Sequence, residues 1–291
     1  MGGIVLTPRE MRSLNGLRLT PRRSFGGKVR GERMTRKKGI SIEFADYREY
    51  TDGDDLRHLD WNVLARLDTP VMRTYRDEED LAVHLLLDRS PSMAFGEPSK
   101  MDAARRFAMA LGMIALAGGD AVYARALGAR EPVPPVWRGR SAWPRLQRWA
   151  EREAMDRPQT LSESVREFAG SGARPGVVAL MTDGLDPDFP SALRLLSGRG
   201  HEVWLVQTLS DLDLDPDLEG DLRLVDGEGG TAVELTANGA ALAEYRRNLT
   251  AHQTALSEAC QRGGGKSVVV NAKEPVDEVV KRAWKREGWV A

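Results

Sequence analysis

Three oxygen-bearing side chains, Asp88, Ser90 and Ser92, stand two residues apart directly after an apolar run. The run, residues 81–87, reads LAVHLLL and is typical of a strand that is buried on both faces in the middle of a parallel sheet. Ligands of open parallel sheets collect just beyond the carboxyl ends of such strands. Because hard cations such as Mg²⁺ take oxygen ligands, the spacing indicates one half of a hard-metal site.

The remainder of the chain predicts the elements that would position this loop. Apolar residues at helical spacing predict helices over 100–117, from about residue 142, after Thr160, around 190–198, after the capping residue Asn238, and from Pro275. Apolar runs predict strands at 120–127, 177–181, 202–207 and 266–270, and a two-stranded element at 222–235. Strands that alternate with helices predict a doubly wound α/β fold, in which a parallel or mostly parallel sheet is covered on both faces.

Length and composition set the outer bounds. A chain of 291 residues with 41% hydrophobic residues can bury the core of one large α/β domain, or of one such domain plus a small companion. Its one cysteine, Cys260, excludes an internal disulfide and a cysteine-rich zinc site, and fits a reducing compartment. No window approaches the roughly 18 apolar residues of a membrane span, and the amino terminus lacks a signal-peptide layout. We therefore expect a soluble, cytoplasmic protein.

Residues 1–40 form a basic leader that holds eleven Lys or Arg against two Glu, a net charge of +9. This excess permits a polyanion-binding arm, whereas the plainer interpretation is a solvated leader, loosely ordered over its first twenty residues. Phe25 is the single aromatic residue among these forty, so a nucleic-acid stacking surface is poorly supported.

A dense set of carboxylates and arginines follows the leader, and we expect it to form a salt-bridge lattice anchored by the indole of Trp61. The segment, together with the strand ending in Asp88, closely resembles a bacterial family, the domain of unknown function numbered fifty-eight. The resemblance runs from about residue 31 to the carboxyl terminus. It rests on Glu43-Phe44, Arg48-Glu49-Tyr50, Gly53-Asp54-Asp55, Arg57, Asp60-Trp61, Ala65-Arg66, Asp88, Ser90, Ser92 and Met93.

The resemblance implies a fold and a partner. Members of that family are relatives of the von Willebrand factor A fold and are usually encoded beside MoxR-type AAA+ ATPases. It implies a von Willebrand factor A-like, Rossmann-like domain over residues 79–291, and a small extension over residues 1–78 that is rich in β-structure and loop. It further implies a non-enzymatic adaptor for such an ATPase in protein assembly or maturation.

The resemblance also implies a Mg²⁺ or Mn²⁺ site built from three loops. Asp88, Ser90 and Ser92 fill the first loop and Asp183 the third, while Thr160 is the best candidate for the second, with Ser162 and Ser164 as competitors. Water or an Asp or Glu of a partner would complete the shell, so that the site would grip an acidic residue.

Other interpretations of these residues remain to be weighed. Asp88 and the serines could simply cap a helix or end a strand. A phosphoester hydrolase could use Asp88 as a nucleophile, but such enzymes carry a second aspartate where this chain has Ser90.

Other motifs in the chain are incomplete. The aspartates that begin at Asp52 do not form an EF-hand, because Val63 stands where a bidentate Glu is needed. The Gly263–Lys266 segment lacks the first glycine of a phosphate-binding loop and precedes a strand, so we expect a turn and no ATP binding. His84 and Cys260 are expected in the core.

Overall fold

The computed structural model describes residues 6–25, 43–76, 80–128, 134–152, 159–216, 218–225 and 232–291. The chain divides into two compact units, Met1–Phe25 with Leu81–Ala291, and Gly26–Asp80. The second unit ends close to the boundary expected at residue 78. The described part of the leader, residues 6–25, instead groups with the large unit.

Helices and strands alternate along much of the described part of the chain. The helices are α1 (Pro8–Leu14), α2 (Trp61–Leu67), α3 (Lys100–Gly118), α4 (Trp143–Ala150), α5 (Leu161–Gly170), α6 (Phe189–Gly198), α7 (Asp211–Leu214), α8 (Gly239–Arg262) and α9 (Val276–Val279), which continues as a π-helical turn over Val280–Trp284. The strands are β1 (Glu43–Glu49), β2 (Val71–Arg76), β3 (Ala82–Asp88), β4 (Ala121–Leu127), β5 (Val177–Thr182), β6 (Glu202–Leu209), β7 (Gly220–Leu224), β8 (Val233–Ala237) and β9 (Lys266–Asn271).

The central sheet of the large unit has five strands in the order β4-β3-β5-β6-β9, and every neighbouring pair is parallel. The chain leaves β3 for β4 on one side and then crosses to β5 on the other. The loops after β3 and β5 therefore diverge, which creates the crevice where open α/β sheets bind ligands. β7 and β8 form a separate antiparallel hairpin.

Both faces of this sheet are covered. The β3 side chains Val83 and Leu85 enter a core with α1, α3, α4 and α9, whereas Leu86 enters a second core with α5, α6 and α8. Every residue of β3 is buried, as a continuous apolar run between two layers requires. The expected doubly wound α/β fold with a parallel sheet is confirmed.

The leader is more ordered than expected, because residues 8–14 form α1 and anchor it in the large unit. Leu6 and Leu14 are buried in the core. Thr7 and Glu10 form a capping box at the start of the helix, with Pro8 in its first turn. Glu10 also accepts a hydrogen bond from the backbone N–H of Val276, at 3.0 Å, which joins α1 to α9. The expectation of a loose first twenty residues is wrong for the described residues 6–20.

The small unit pairs β1 with β2 in an antiparallel hairpin that flanks α2. Arg48 forms a bidentate ion pair with Asp54, at 2.6 and 2.7 Å, as the charge pattern predicts. Asp60 caps α2 and accepts a hydrogen bond from the Tyr47 hydroxyl at 3.0 Å. Trp61, however, is 60% exposed, so the prediction that its indole anchors the lattice is wrong.

None of the helices in the described part of the chain is long and apolar enough to cross a membrane.

Candidate functional site

The carboxylates of Asp88 and Asp183 lie on neighbouring strands at the carboxyl edge of the central sheet. The register pairs Leu87 of β3 with Met181 of β5, so Asp88 stands beside Thr182 and Asp183 follows directly. Both aspartates are buried, at 1% and 3% exposure. The structure thus brings together two of the site residues expected from the sequence, at the point where the strand order reverses.

The loop after β3 arranges its two serines around Asp88. The Ser90 backbone N–H donates to Asp88 Oδ1 at 2.9 Å, an Asx-type turn that the short aspartate side chain favours. A short 3₁₀ turn, Pro91–Ala94, then carries Ser92 back, so that Ser90 Oγ and Ser92 Oγ are 3.1 Å apart. The three first-loop oxygens therefore form one cluster.

Thr182 is a contact of Asp88 that the sequence reasoning missed. Its hydroxyl donates to Asp88 Oδ2 at 2.5 Å and accepts the Gly184 backbone N–H at 2.9 Å. A hydrogen bond to a carboxylate is shorter and stronger than one between neutral groups. The position of Thr182 could have indicated this contact. It ends the buried strand β5 directly before Asp183, as Asp88 ends the neighbouring strand β3.

Thr160 is used as a helix cap. Its Oγ1 accepts the Glu163 backbone N–H at 3.2 Å, and the Glu163 carboxylate accepts the Thr160 N–H at 2.9 Å. Thr160 is exposed, whereas Asp88 is buried. Among the described contacts, the structure therefore does not join Thr160 to the other predicted ligands.

The two competing serines are buried on the same helix. Ser164 Oγ accepts the Gly128 backbone N–H at 3.2 Å, and a side chain at Gly128 would contact the Ser90 backbone at 3.5 Å. Ser162 donates its backbone N–H to Asp186 at 2.9 Å, and its hydroxyl has no hydrogen-bond partner in the described part of the chain. Of the three candidates for the second loop, Ser164 is the one that contacts Gly128, whose backbone passes close to Ser90.

Lys100, the first residue of α3, is a second contact that the sequence reasoning missed. Its Nζ lies 2.8 Å from Asp183 Oδ2 and 3.3 Å from Asp213 Oδ2, and its side chain is only 3% exposed. A cation at a helix amino terminus is opposed by the helix dipole, and burial adds a desolvation penalty. The two carboxylates compensate both effects.

Asp88 carries a charge that no described cation contacts. Burial first, and the nearby charge of Asp183 second, raise the pKa of Asp88 to about 6, against the hydrogen bonds from Thr182 and Ser90. Asp88 accepts hydrogen bonds from the Ser90 backbone N–H, the Ser90 side chain and the Thr182 hydroxyl, whereas its two oxygens offer about four lone-pair positions. A buried carboxylate in this condition favours an added cation.

The first-loop oxygens fit a hard cation. Two neighbouring ligands of an octahedral Mg²⁺ lie about 3 Å apart, which matches the Ser90–Ser92 separation of 3.1 Å. The described residues contain no group of three or more His, Cys, Asp or Glu side chains suited to a metal. The residues that fit are therefore one carboxylate, Asp88, and two hydroxyls, with Asp183 already paired to Lys100.

The remaining sequence candidates lie away from this edge. His84 is buried within β3, and its Nε2 is 2.8 Å from the Arg174 carbonyl oxygen, as expected for a satisfied core histidine. Cys260 is fully buried, and burial raises its thiol pKa to about 12. The Gly263–Gly265 segment is the turn between α8 and β9, as expected.

The chain belongs to the protein family of unknown function DUF58, whose sequence profile matches residues 46–255. Uncharacterized proteins of Mycobacterium bovis and of Mycobacterium tuberculosis strain H37Rv are each 28% identical to it over 262 residues, which span 86% of this chain and 81% of the relative. The crystal structure of the conserved hypothetical protein BatB from Bacteroides thetaiotaomicron is similar with a TM-score of 0.45 and 13% identity, over 71% of this chain and 98% of that chain. The family expected from the residue pattern is confirmed.

Proposed function

We propose that this protein is a non-enzymatic interaction module that uses a divalent cation, Mg²⁺ or Mn²⁺, at Asp88 to bind an acidic residue of a partner protein. The observation that carries the proposal is the buried Asp88 carboxylate, which no described cation contacts, beside the paired hydroxyls of Ser90 and Ser92. A bound cation supplies positive charge and open coordination positions for a carboxylate.

The residues at this edge of the sheet have different roles in the proposed site. Asp88 provides the charge that attracts the cation, and Ser90 and Ser92 provide neutral oxygens. Thr182 holds Asp88 in one orientation through its 2.5 Å hydrogen bond. Because one carboxylate balances only part of a divalent charge, this set leaves room for a carboxylate from outside the chain.

The partner we propose is a MoxR-type AAA+ ATPase, for which the chain acts as an adaptor in protein assembly or maturation. The support for this partner is the family membership and the resemblance on which it was expected. The support for binding over catalysis is the position two residues after Asp88, where Ser90 replaces the general acid of aspartate-based phosphatases. We expect no hydrolysis of p-nitrophenyl phosphate above the rate of Asp88→Asn.

A binding assay with a MoxR-type ATPase tests the proposal. We expect co-purification in 5 mM Mg²⁺, roughly tenfold less in EDTA, and a similar loss in Asp88→Asn. The matched control is Asp211→Asn, which changes an exposed aspartate that pairs with Lys273 at the same edge. Equal recovery with and without the cation would rule out metal-bridged binding.

A further inference from the structure

Lys100 introduces a positive charge into the edge where a cation is proposed to bind. Its ammonium is nearer to Asp183, at 2.8 Å, than to Asp213, at 3.3 Å, and the side chains of Lys100 and Asp183 are 3% and 4% exposed. A contact this close and this poorly hydrated is weakly screened by solvent. Lys100 therefore offsets part of the Asp183 charge that acts on Asp88.

The second carboxylate that Lys100 contacts is held by its own helix. Asp213 Oδ2 accepts the backbone N–H of Ser210 at 2.8 Å and its hydroxyl at 2.7 Å, in the capping box of α7. Asp213 is also more exposed, at 14% for its side chain. Lys100 thus joins the loop after β5 to the start of α7, and both ends of this bridge are fixed by further hydrogen bonds.

We propose that Lys100 is a built-in counter-ion of the cation site. It offsets the charge of Asp183, so that a cation bound at Asp88 keeps more of its positive charge and favours an acidic ligand. This inference rests on the proposed function, and it explains why the ligand should be a carboxylate. With Asp183 unpaired, two aspartate charges would balance a divalent cation from within the chain. With Asp183 paired, Asp88 balances half of that charge, and an external carboxylate supplies the rest.

The inference predicts opposite changes in two affinities. In Lys100→Met, Mn²⁺ should bind about tenfold more tightly, because a second carboxylate charge is released within reach of the site. Acetate, as a probe carboxylate, should bind the Mn²⁺-loaded variant more weakly than the loaded wild type. Lys100→Arg keeps the charge and should stay within about threefold of the wild type in both affinities.

Two further variants distinguish the electrostatic effect of Lys100 from an effect of its replacement on folding. Asp183→Asn leaves the Lys100 charge without its closest partner and should weaken Mn²⁺ binding about tenfold. The double variant Lys100→Met/Asp183→Asn removes both charges and should return to within about threefold of the wild type, as a double-mutant cycle requires for coupled residues. These two proteins keep the inference testable if Lys100→Met does not fold.

The experiment is a titration of Mn²⁺ followed by electron paramagnetic resonance, with acetate binding followed by the relaxation rate of water protons on the loaded protein. Tighter Mn²⁺ and weaker acetate binding in Lys100→Met, with recovery in the double variant, would support the inference. Unchanged or weaker Mn²⁺ binding in Lys100→Met would overturn it while the proposed function stands. Absence of Mn²⁺ binding by the wild type would overturn the proposed function itself.

Discussion

Asp88 unites two properties that seldom coexist in one side chain: it is almost fully buried, and it carries a charge that no described cation contacts. Burial first, and the charge of Asp183 second, raise its pKa to about 6. A residue that costs stability in this way is typical of a functional site. The site thus stores an unfavourable interaction that a bound cation would relieve.

Replacing Asp88 with asparagine should stabilise the protein in metal-free buffer at pH 7. Asparagine can accept the Ser90 N–H through its oxygen and direct its amide toward Thr182 Oγ1, so both contacts persist without the buried charge. Because the variant removes a buried charge whose pKa is raised by burial, we expect a gain of about 1–3 kcal/mol in the free energy of unfolding. Urea denaturation measures it, and a loss of stability would contradict this account of Asp88.

The sequence predicted the first loop well and the second loop poorly. Residues two apart after a strand must share one short turn, so the clustering of Asp88, Ser90 and Ser92 follows from spacing alone. Thr160 has the residue type of a ligand and equally that of a helix cap, and no local pattern distinguishes the two uses. The contact of Lys100 with Asp183 could not be predicted for a similar reason, because a lysine at the start of a helix ordinarily faces water.

At the scale of elements, α1 shows how a basic leader is anchored. Burial tends to raise the pKa of Glu10, but hydrogen bonds from Thr7 and Val276 and the charge of Arg106 lower it below its usual value. Arg106 belongs to α3 and Val276 starts α9, so one carboxylate joins three helices. The capping pattern Thr7-Pro-Arg-Glu10 is a local signal that the expectation of a loosely ordered leader overlooked, whereas the distant contacts have no local signal.

Replacing Glu10 with alanine should lower the free energy of unfolding by about 2–4 kcal/mol, because it leaves the Val276 N–H and the Arg106 guanidinium without their acceptor. Equilibrium denaturation in urea measures the change. Arg12→Ala is the matched control on the exposed face of the same helix and should shift stability by less than about 0.5 kcal/mol. A small effect of Glu10→Ala would show that α1 contributes little to the fold.

At the scale of the whole molecule, the alternation of strands and helices predicted the parallel, doubly wound sheet but not the order of its strands. That order follows from long-range packing, which places β3 between β4 and β5. The grouping of residues 6–25 with the large unit is likewise a tertiary effect, because Arg9 pairs with Asp277 at 2.8 Å across most of the chain. Local sequence patterns do not identify partners that are so far apart in the chain.

Two buried histidines give the large unit a dependence on pH. The rings of His84 and His201 lie 5.4 Å apart, and burial lowers both pKa values, that of His84 to about 4. Both histidines are neutral in the folded protein at pH 7, while the unfolded chain takes up protons near pH 6.5. The contribution of His84 to stability is therefore complete above about pH 6.5 and is lost as the pH falls toward 4, and that of His201 changes in the same direction.

We expect His84 alone to account for about 3 kcal/mol of stability lost between pH 7 and pH 4, from a pKa lowered by about 2.5 units. Asp88, whose pKa is raised, contributes with the opposite sign, so the test compares the wild type with His84→Leu. Melting temperatures at pH 7.5 and pH 5 should differ less in the variant. Parallel pH profiles for both proteins would contradict the assignment of this loss to His84.

The central claim is that Asp88 forms a divalent-cation site, and a direct titration of Mn²⁺ into the purified protein at pH 7.5 tests it most sharply. The account predicts one bound Mn²⁺ per chain, displaced by Mg²⁺, with no binding in Asp88→Asn and unchanged binding in the control Asp211→Asn. Equal binding by the wild type and Asp88→Asn, or no binding by either, would contradict it.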